Sequence, residues 1–435
     1  MKISLFQGIL FGVFGVAALV GLFVFATHTN SNNSGKNAVG TVVIWGTLPK
    51  ADMDTALTAI AKADTSLKDV SYVQKDPATL PNDLSAAIAT GAAPNLVLAS
   101  QEELLSLAKF ITPIPSATLP ASTFSSTFVG EGGLFAAANG YYGIPFLVDP
   151  LVLFSNRTIL SSDGIAKPPA TWEALAGLVP NVAILTSARQ ITRGLIAFGT
   201  YDNVHDARGI LSALFIQTGV PISSYSSSTG LLSADLGENF SNGTSPGQEV
   251  IGFYTQFADP SKISYTWNAL LPDSEQAFLA GDLALYLGYA SEARYLATAN
   301  PNLDFGVAPL PQPATATVKS TYGLVYALMI PVGAKNTAGA YQAAALLTNA
   351  AEQEAAVSAT SLAPAVLNEL ATVPTDPTAA AAYAGALYAK GWLSPAPADT
   401  DSVFSGMIGN VISGRSTLET ALVSAGQSLS ALLQQ

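Results

Sequence analysis

The sequence predicts an α/β protein of two lobes, and three observations carry that reading. At 435 residues the chain is roughly three times the ~150-residue domain prior. Hydrophobic residues make up 49% and charged residues 11%, against roughly 25% charged in typical domains, which excludes disorder for most of the length. After residue 40, β-rich runs alternate with segments of helical period. Thr41 to Trp45 (TVVIW) reads as one buried strand, ended by Gly46 and Pro49. Asp52 to Ala63 carries Leu57, Ile60 and Ala61 at helical spacing, with Asp52 where an N-cap would stand. Val70 to Val73 reads as a strand, Leu84 to Thr90 as a helix closed by Gly91, and Asn95 to Ala99 as a third strand. Ser223 to Ser228 reads as a loop and Ala379 to Ala382 as helix. No second long linker divides the chain, so two lobes would be joined by several crossovers.

The N-terminus has its own organisation. Lys2 precedes an uncharged run from Gly8 to Ala26, which as a helix would extend ~28 Å, about one bilayer core. With no further Lys or Arg before Lys36, this charge asymmetry keeps the N-terminus inside and sends the rest to the extracytoplasmic face. Residues 1–26 are thus expected to be a retained membrane anchor. The alternative is a secretory signal, cleaved after the small residues near Ala26 to leave a secreted or periplasmic protein. Residues 27–40 (THTNSNNSGKNAVG) read as a polar spacer.

Composition excludes several functions. With 18 Lys plus Arg against 30 Asp plus Glu the formal charge is -12, which leaves no basic footprint for nucleic acid. The absence of cysteine removes disulfides, thiolate nucleophiles and Cys-ligated metals, and only two histidines are present. Gly243 to Gly247 (GTSPG) matches a nucleophile-elbow pattern, yet no histidine follows Ser245 and a hydrolase triad is not supported. Asp399 and Asp401 lack the glycine and downstream glutamate of a calcium loop. Neither a metal nor a cofactor is expected, and the protein is read as a non-enzyme. A paired-carboxylate glycosidase stays open on residue types alone, because only the separation of the carboxylates would reveal it. Asn156, Asn239 and Asn242 each begin a glycosylation sequon.

Five segments in order carry a family resemblance. Tyr142 to Arg157 (YGIPFLVDPLVLFSNR), Pro168 to Leu175 (PPATWEAL), Ala277 to Tyr289 (AFLAGDLALYLGY), Asp304 to Pro311 (DFGVAPLP) and Ser320 to Gly323 (STYG) resemble the ABC-transporter extracellular solute-binding proteins of the maltose-binding type (family 1). Gly391 to Pro395 (GWLSP) and the terminal helix also fit, so the resemblance covers nearly everything after Gly40. Two departures stand out. Asn95 follows Pro94 where relatives commonly have Asp, and Tyr289-Ala290-Ser291 stands where they place Trp. Loss of an indole alters the floor on which such proteins seat the apolar face of a sugar ring.

The resemblance implies a two-lobed periplasmic-binding-protein-like (type II) fold with a hinge and an interlobe cleft, preceded by one N-terminal transmembrane helix. Crossings between lobes are expected near Leu147 to Leu151, Gln312 to Thr321 and Ser358 to Pro364. Lobe one would take 41–147 and 321–360, and lobe two 148–320 and 361–435. The implied function is capture of a small-molecule ligand, a sugar or oligosaccharide, and its delivery to an ABC permease. A surface adhesion module that kept the fold is the second reading and a glycoside hydrolase the third. Candidate ligand residues are Trp45 at a strand end, Asp149 at the first crossing, Trp267 and Asn268 before the AF helix, Tyr289, Tyr322 with Gly323, and Trp392. The structural alternatives are packing for Trp45, ordinary burial for Tyr289, a surface lid contact for Trp267 and Asn268, an anchor for the terminal helices for Trp392, and a hinge cap beside Pro150 for Asp149. Trp172, behind a Thr171 N-cap, is expected to be core.

Overall fold

The computed structural model describes residues 39–226, 230–236 and 245–434. The apolar run Gly8 to Ala26, the spacer up to residue 38, and the sequons at Asn239 and Asn242 lie outside the described residues. Among the described residues no helix is long and apolar enough to cross a membrane. The folded part starts earlier than the composition of the spacer indicates. Val39 is buried, its N–H bonds to the Ser66 carbonyl, and Asn336 Nδ2 bonds its carbonyl at 2.9 Å.

Strand β1 (Val42–Gly46) alternates buried and half-buried residues, the period-2 pattern of a sheet covered mainly on one side. It pairs in parallel with β2 (Val70–Gln74) and β3 (Leu96–Ser100). The helix Lys50–Ala63 between β1 and β2 buries Met53, Ala56, Leu57 and Ile60, one face at helical spacing. Pro49 rather than Asp52 occupies its N-cap position, because a fixed φ near −65° suits the entry to a helix. Asp52 lies in the first turn. The helix Leu80–Ala89 begins four residues before the expected Leu84, with Pro81 in its first turn, where the missing N–H has no intrahelical partner to lose. Ser223–Tyr225 is a strand, paired antiparallel with Leu232–Ala234, and not a loop. Ser223 Oγ bonds the Leu393 carbonyl and the Ser224 hydroxyl bonds Asp235, so both serine hydroxyls are satisfied in the hairpin.

The long strand β4 (Gly143–Asn156) is buried at all 14 positions. With β5 (Ile191–Ile196), β6 (Leu283–Tyr289), β7 (Phe305–Pro309) and β8 (Thr321–Met329) it completes an 11-stranded sheet in the order β2-β1-β3-β8-β4-β6-β5, with Ile184–Leu185 beyond β5. β4 belongs to two halves. From Gly143 to Pro150 it pairs with β8, and from Leu151 to Asn156 with β6 and β7. Proline cannot donate to a ladder, and Pro150 stands where the partners change. The segment between Pro309 and Thr321 carries the chain back from the second half to the first. Ala363–Pro364 still pairs with Val148 and Leu147, and Ala389–Lys390 pairs with Thr321 and Tyr322. The C-terminal portion therefore stays on the first half through residue 364, touches it again at 389–390, and ends in the helices Pro397–Ile412 and Leu418–Leu433. Of two hydrophobic clusters, one around Val42, Ile44, Leu57, Phe146 and Leu328 lies in the first half, and the other, around Phe154, Phe198, Phe215, Phe278 and Leu285, fills the second half and continues into the first through Val97, Ala99, Val325 and Ala327.

Several local expectations are met in detail. Thr171 caps the helix Trp172–Val182 by accepting the Ala174 N–H, and Trp172 is 4% exposed with its indole N–H on Gln217 Oε1 at 2.6 Å. Ser245 caps the helix Pro246–Thr255 by accepting the Gln248 N–H, a structural use of the serine in the GTSPG pattern. Asn156 is buried and accepts the Ile159 N–H as the cap of Arg157–Ser162, so its side chain is engaged and shielded. Trp172→Ala should lower stability by about 3–5 kcal/mol in denaturant titration, with the ligand affinity of the folded fraction unchanged. A loss below 1 kcal/mol would show that Trp172 is not a core anchor.

Candidate ligand cleft

The register of β4 sets the site. Pro150 is opposite Gly323 of β8 and Leu151 is opposite Tyr289 of β6, so Asp149, Tyr289, Tyr322 and Gly323 all fall where the two half-sheets meet. In open α/β sheets such switch points, beyond the carboxyl ends of strands, are where ligands bind. Gly209, in the helix Ala207–Gln217, lets these rings converge. A Cβ there would stand 2.8 Å from the Tyr289 hydroxyl and 3.3 Å from the Tyr322 ring.

Polar groups line this junction from both halves. Behind β3, Gln101 accepts the Val325 N–H at 2.8 Å and donates to the Gly323 carbonyl at 3.0 Å. Glu102, 3% exposed, accepts the Tyr322 hydroxyl. Arg208 of the second half grips Glu102 with two nitrogens, at 3.1 and 2.7 Å, and holds Asp401 at 2.5 Å. Asp401 also accepts the Tyr201 hydroxyl at 2.6 Å. A two-pronged guanidinium–carboxylate pair fixes orientation as well as charge. Arg294 makes a more exposed tie to Asp52 at 3.1 Å and to the Ala359 carbonyl at 2.7 Å.

Acidic groups dominate. Asp149 is 4% exposed and accepts the Ser291 N–H and hydroxyl at 3.1 and 2.6 Å. Burial pushes its carboxyl up to about 7, against the opposing pull of the Ser291 bonds. Burial likewise raises Glu103 to about 7, with Ser100 opposing, and holds Glu131 well above the usual carboxylate range. Glu292 is held high by burial and then by the neighbouring Asp206 charge. His205, Asp206 and Glu292 bring donor atoms within 4.8 Å of one another, a set that could hold a cation. Glu292 already accepts the Tyr286 hydroxyl and the Tyr289 N–H.

The remaining sequence candidates are placed differently. Trp45 is half-buried with the Lys75 ammonium 3.9 Å from its ring centre, so one face is already covered. Trp267 is 1% exposed, in the core beside Gly194. Asn268 bonds the Tyr265 hydroxyl and the Leu270 N–H. Trp392 is 4% exposed and donates to Ser212 Oγ at 3.0 Å, tying the segment after Lys390 to the helix Ala207–Gln217. No hydrogen bond among those of the described residues joins Trp45, Trp267 or Trp392 to the polar junction. Conversely, Gln101, Glu102, Glu131, Asp206, Arg208 and Glu292 escaped sequence reading. The run Ser100-Gln101-Glu102-Glu103 at the end of a strand was the available signal.

The chain matches the family model described as bacterial extracellular solute-binding protein over residues 56–384, and it belongs to that family. No curated protein sequence matches it. Three solved structures illustrate the likeness. A cyclo/maltodextrin-binding protein complexed with maltotetraose is 15% identical, with a TM-score of 0.71 over 93% of this chain and 99% of that one. The GacH receptor of Streptomyces glaucescens, solved unliganded and with acarbose, is 16% identical, with a TM-score of 0.67 over 91% and 98%. A solute-binding protein from Thermotoga lettingae bound with α-D-tagatose is 18% identical, with a TM-score of 0.67 over 90% and 99%. These likenesses establish the two-lobed α/β solute-binding fold.

A titration consequence follows for the ligand-free protein. A carboxyl raised from 3.8 to about 7 by folding contributes stability that is complete below the unfolded value and lost as pH rises through the folded one. Thermal stability should therefore fall between about pH 4 and pH 7, and the fall should be shallower in Asp149→Asn. An identical slope in the variant would show that Asp149 is not a buried, raised carboxyl.

Proposed function

We propose that the protein is an extracytoplasmic receptor that captures a carbohydrate between its lobes and delivers it to an ABC permease. The polar junction at the β4 switch, where groups from both half-sheets converge on one site, carries this reading. Residues 41–147 with 321–364 form one lobe and 148–320 with 365–435 the other, the last boundary lying beyond the expected 360 because Ala363–Pro364 still pairs with Val148 and Leu147. The crossings between them act as a hinge, since a few terminal positions can absorb the dihedral change while both lobes stay rigid. Asp149, Tyr289, Tyr322 and Gly323, with Gln101, Glu102 and Arg208, are the proposed ligand contacts; Trp45, Trp267, Asn268 and Trp392 support them by packing. Carboxylates and amides suit sugar hydroxyls, and Tyr289 supplies an aromatic face. Three neighbours in fold were solved with maltotetraose, acarbose and α-D-tagatose, which supports a saccharide class. The run Gly8 to Ala26 holds the receptor at the outer membrane face; retention by membranes through a high-salt wash tests that anchor, and release of protein beginning near Thr27 would contradict it.

A thermal-shift and scattering screen of mono- and oligosaccharides tests the receptor role. A true ligand at 100 times its Kd should add about 2.7 kcal/mol. Its affinity should fall roughly tenfold or more in Asp149→Asn, which replaces an acceptor oxygen with an amide donor but keeps the side chain's shape. No stabilisation by any saccharide, with an unchanged radius of gyration, would favour the adhesion reading.

A further inference from the structure

Glu131 is the conspicuous unexplained group in the cleft. It sits in the short helical segment Gly130–Phe135, is 5% exposed, and neither carboxylate oxygen has a hydrogen-bond partner. Its surroundings explain why. Oε1 lies where a Cβ on Gly391 would be only 2.7 Å away, and Oε2 where a Cβ on Gly323 would be 3.2 Å away. The carboxylate thus rests against two glycine backbones that give it no donor. Gln101, whose amide nitrogen would be 3.0 Å from the same Gly391 Cβ, spends that amide on Gly323 and Tyr322.

The charge balance around it points the same way. Glu102, Asp149, Asp206, Glu292 and Asp401 contribute to the same junction, while Arg208 already serves Glu102 and Asp401. A buried carboxylate without a counter-charge is costly whichever neutral donors surround it. A neutral hydroxyl can donate one bond to Glu131 but leaves the excess negative charge in place; an ammonium does both.

We propose that the ligand of this cleft is an amine-bearing saccharide whose ammonium is received by Glu131 beside Gln101, Gly323 and Gly391. The inference rests on the receptor reading above and narrows its ligand class from carbohydrate to cationic carbohydrate. Burial holds the Glu131 carboxyl well above the usual carboxylate range, and an arriving cation opposes that shift by stabilising the carboxylate.

The test compares three disaccharides of one skeleton on the full chain by calorimetry at neutral pH: the β-1,4 dimer of glucosamine, its N-acetylated form, and cellobiose. The free amine should bind roughly tenfold or more tighter than the two neutral sugars, and Glu131→Gln should abolish that preference, bringing the three affinities together. Equal or tighter binding of a neutral sugar to the unaltered protein, or an amine preference that survives Glu131→Gln, overturns the inference and leaves the receptor reading in place. Failure of all three to bind also overturns it, while the carbohydrate reading is decided separately by the wider saccharide screen. The comparison among sugars on the unaltered protein stands even if the variant folds poorly.

Discussion

The two-pronged contact between Arg208 and Glu102 is the interaction on which the arrangement of this molecule depends. Glu102 follows β3 in the first half-sheet and Arg208 begins the helix after β5 in the second, so one guanidinium spans the junction. It is partly shielded, with side-chain exposures of 20% for Arg208 and 4% for Glu102, which separates it from surface pairs such as Arg294 with Asp52, at 60% and 26%. Removing one partner of a buried pair costs about 3–5 kcal/mol, largely because the other charge is then stranded. Here the stranded group would be Glu102, already holding Tyr322.

Around that contact the chain gathers more acid than base. This excess would spread the lobes apart if every carboxyl were ionised, and burial counters it by favouring the protonated forms of Asp149, Glu131 and Glu292. In the proposed receptor role, a ligand that satisfied both lobes at once would supply the differential affinity that closure requires. Tyr322 and Tyr289 carry hydroxyls into this environment without adding charge, since burial raises both well above the ordinary phenol range.

Much of the fold was legible because it rests on local pattern. The run TVVIW, the apolar stretch through Asp149 and the alternation of strands and helices identify the half-sheets, since buried strands must be apolar and covered by helices. The helix starts were less legible: Pro49 and Pro81 begin their helices before the apolar spacing does, and Asp52 lies inside a turn it was expected to cap. At the site, Asp149 stood out as a charge in an apolar run, and Tyr289, Tyr322 and Gly323 through family order. The three other tryptophans were weighed as ligand-facing because an indole serves stacking and packing equally well, and only tertiary placement separates the two. Glu102, Glu131 and Arg208 were illegible for a related reason. Their meaning lies in partners more than 100 residues away, or in Glu131's lack of any partner, and neither property has a local signature.

Pulsed dipolar spectroscopy between spin labels on opposite lobes measures the central contact directly. The chain has no cysteine, so labels at the exposed positions Ala59 and Ser424, introduced as Ala59→Cys and Ser424→Cys, would be the only reactive thiols. The account predicts one narrow distance for the ligand-free protein and a broader distribution, displaced from it, when Arg208→Ala removes the tie. Superimposable distributions in both proteins would contradict it, because the lobes would then be held together by something other than the pairing of Arg208 with Glu102.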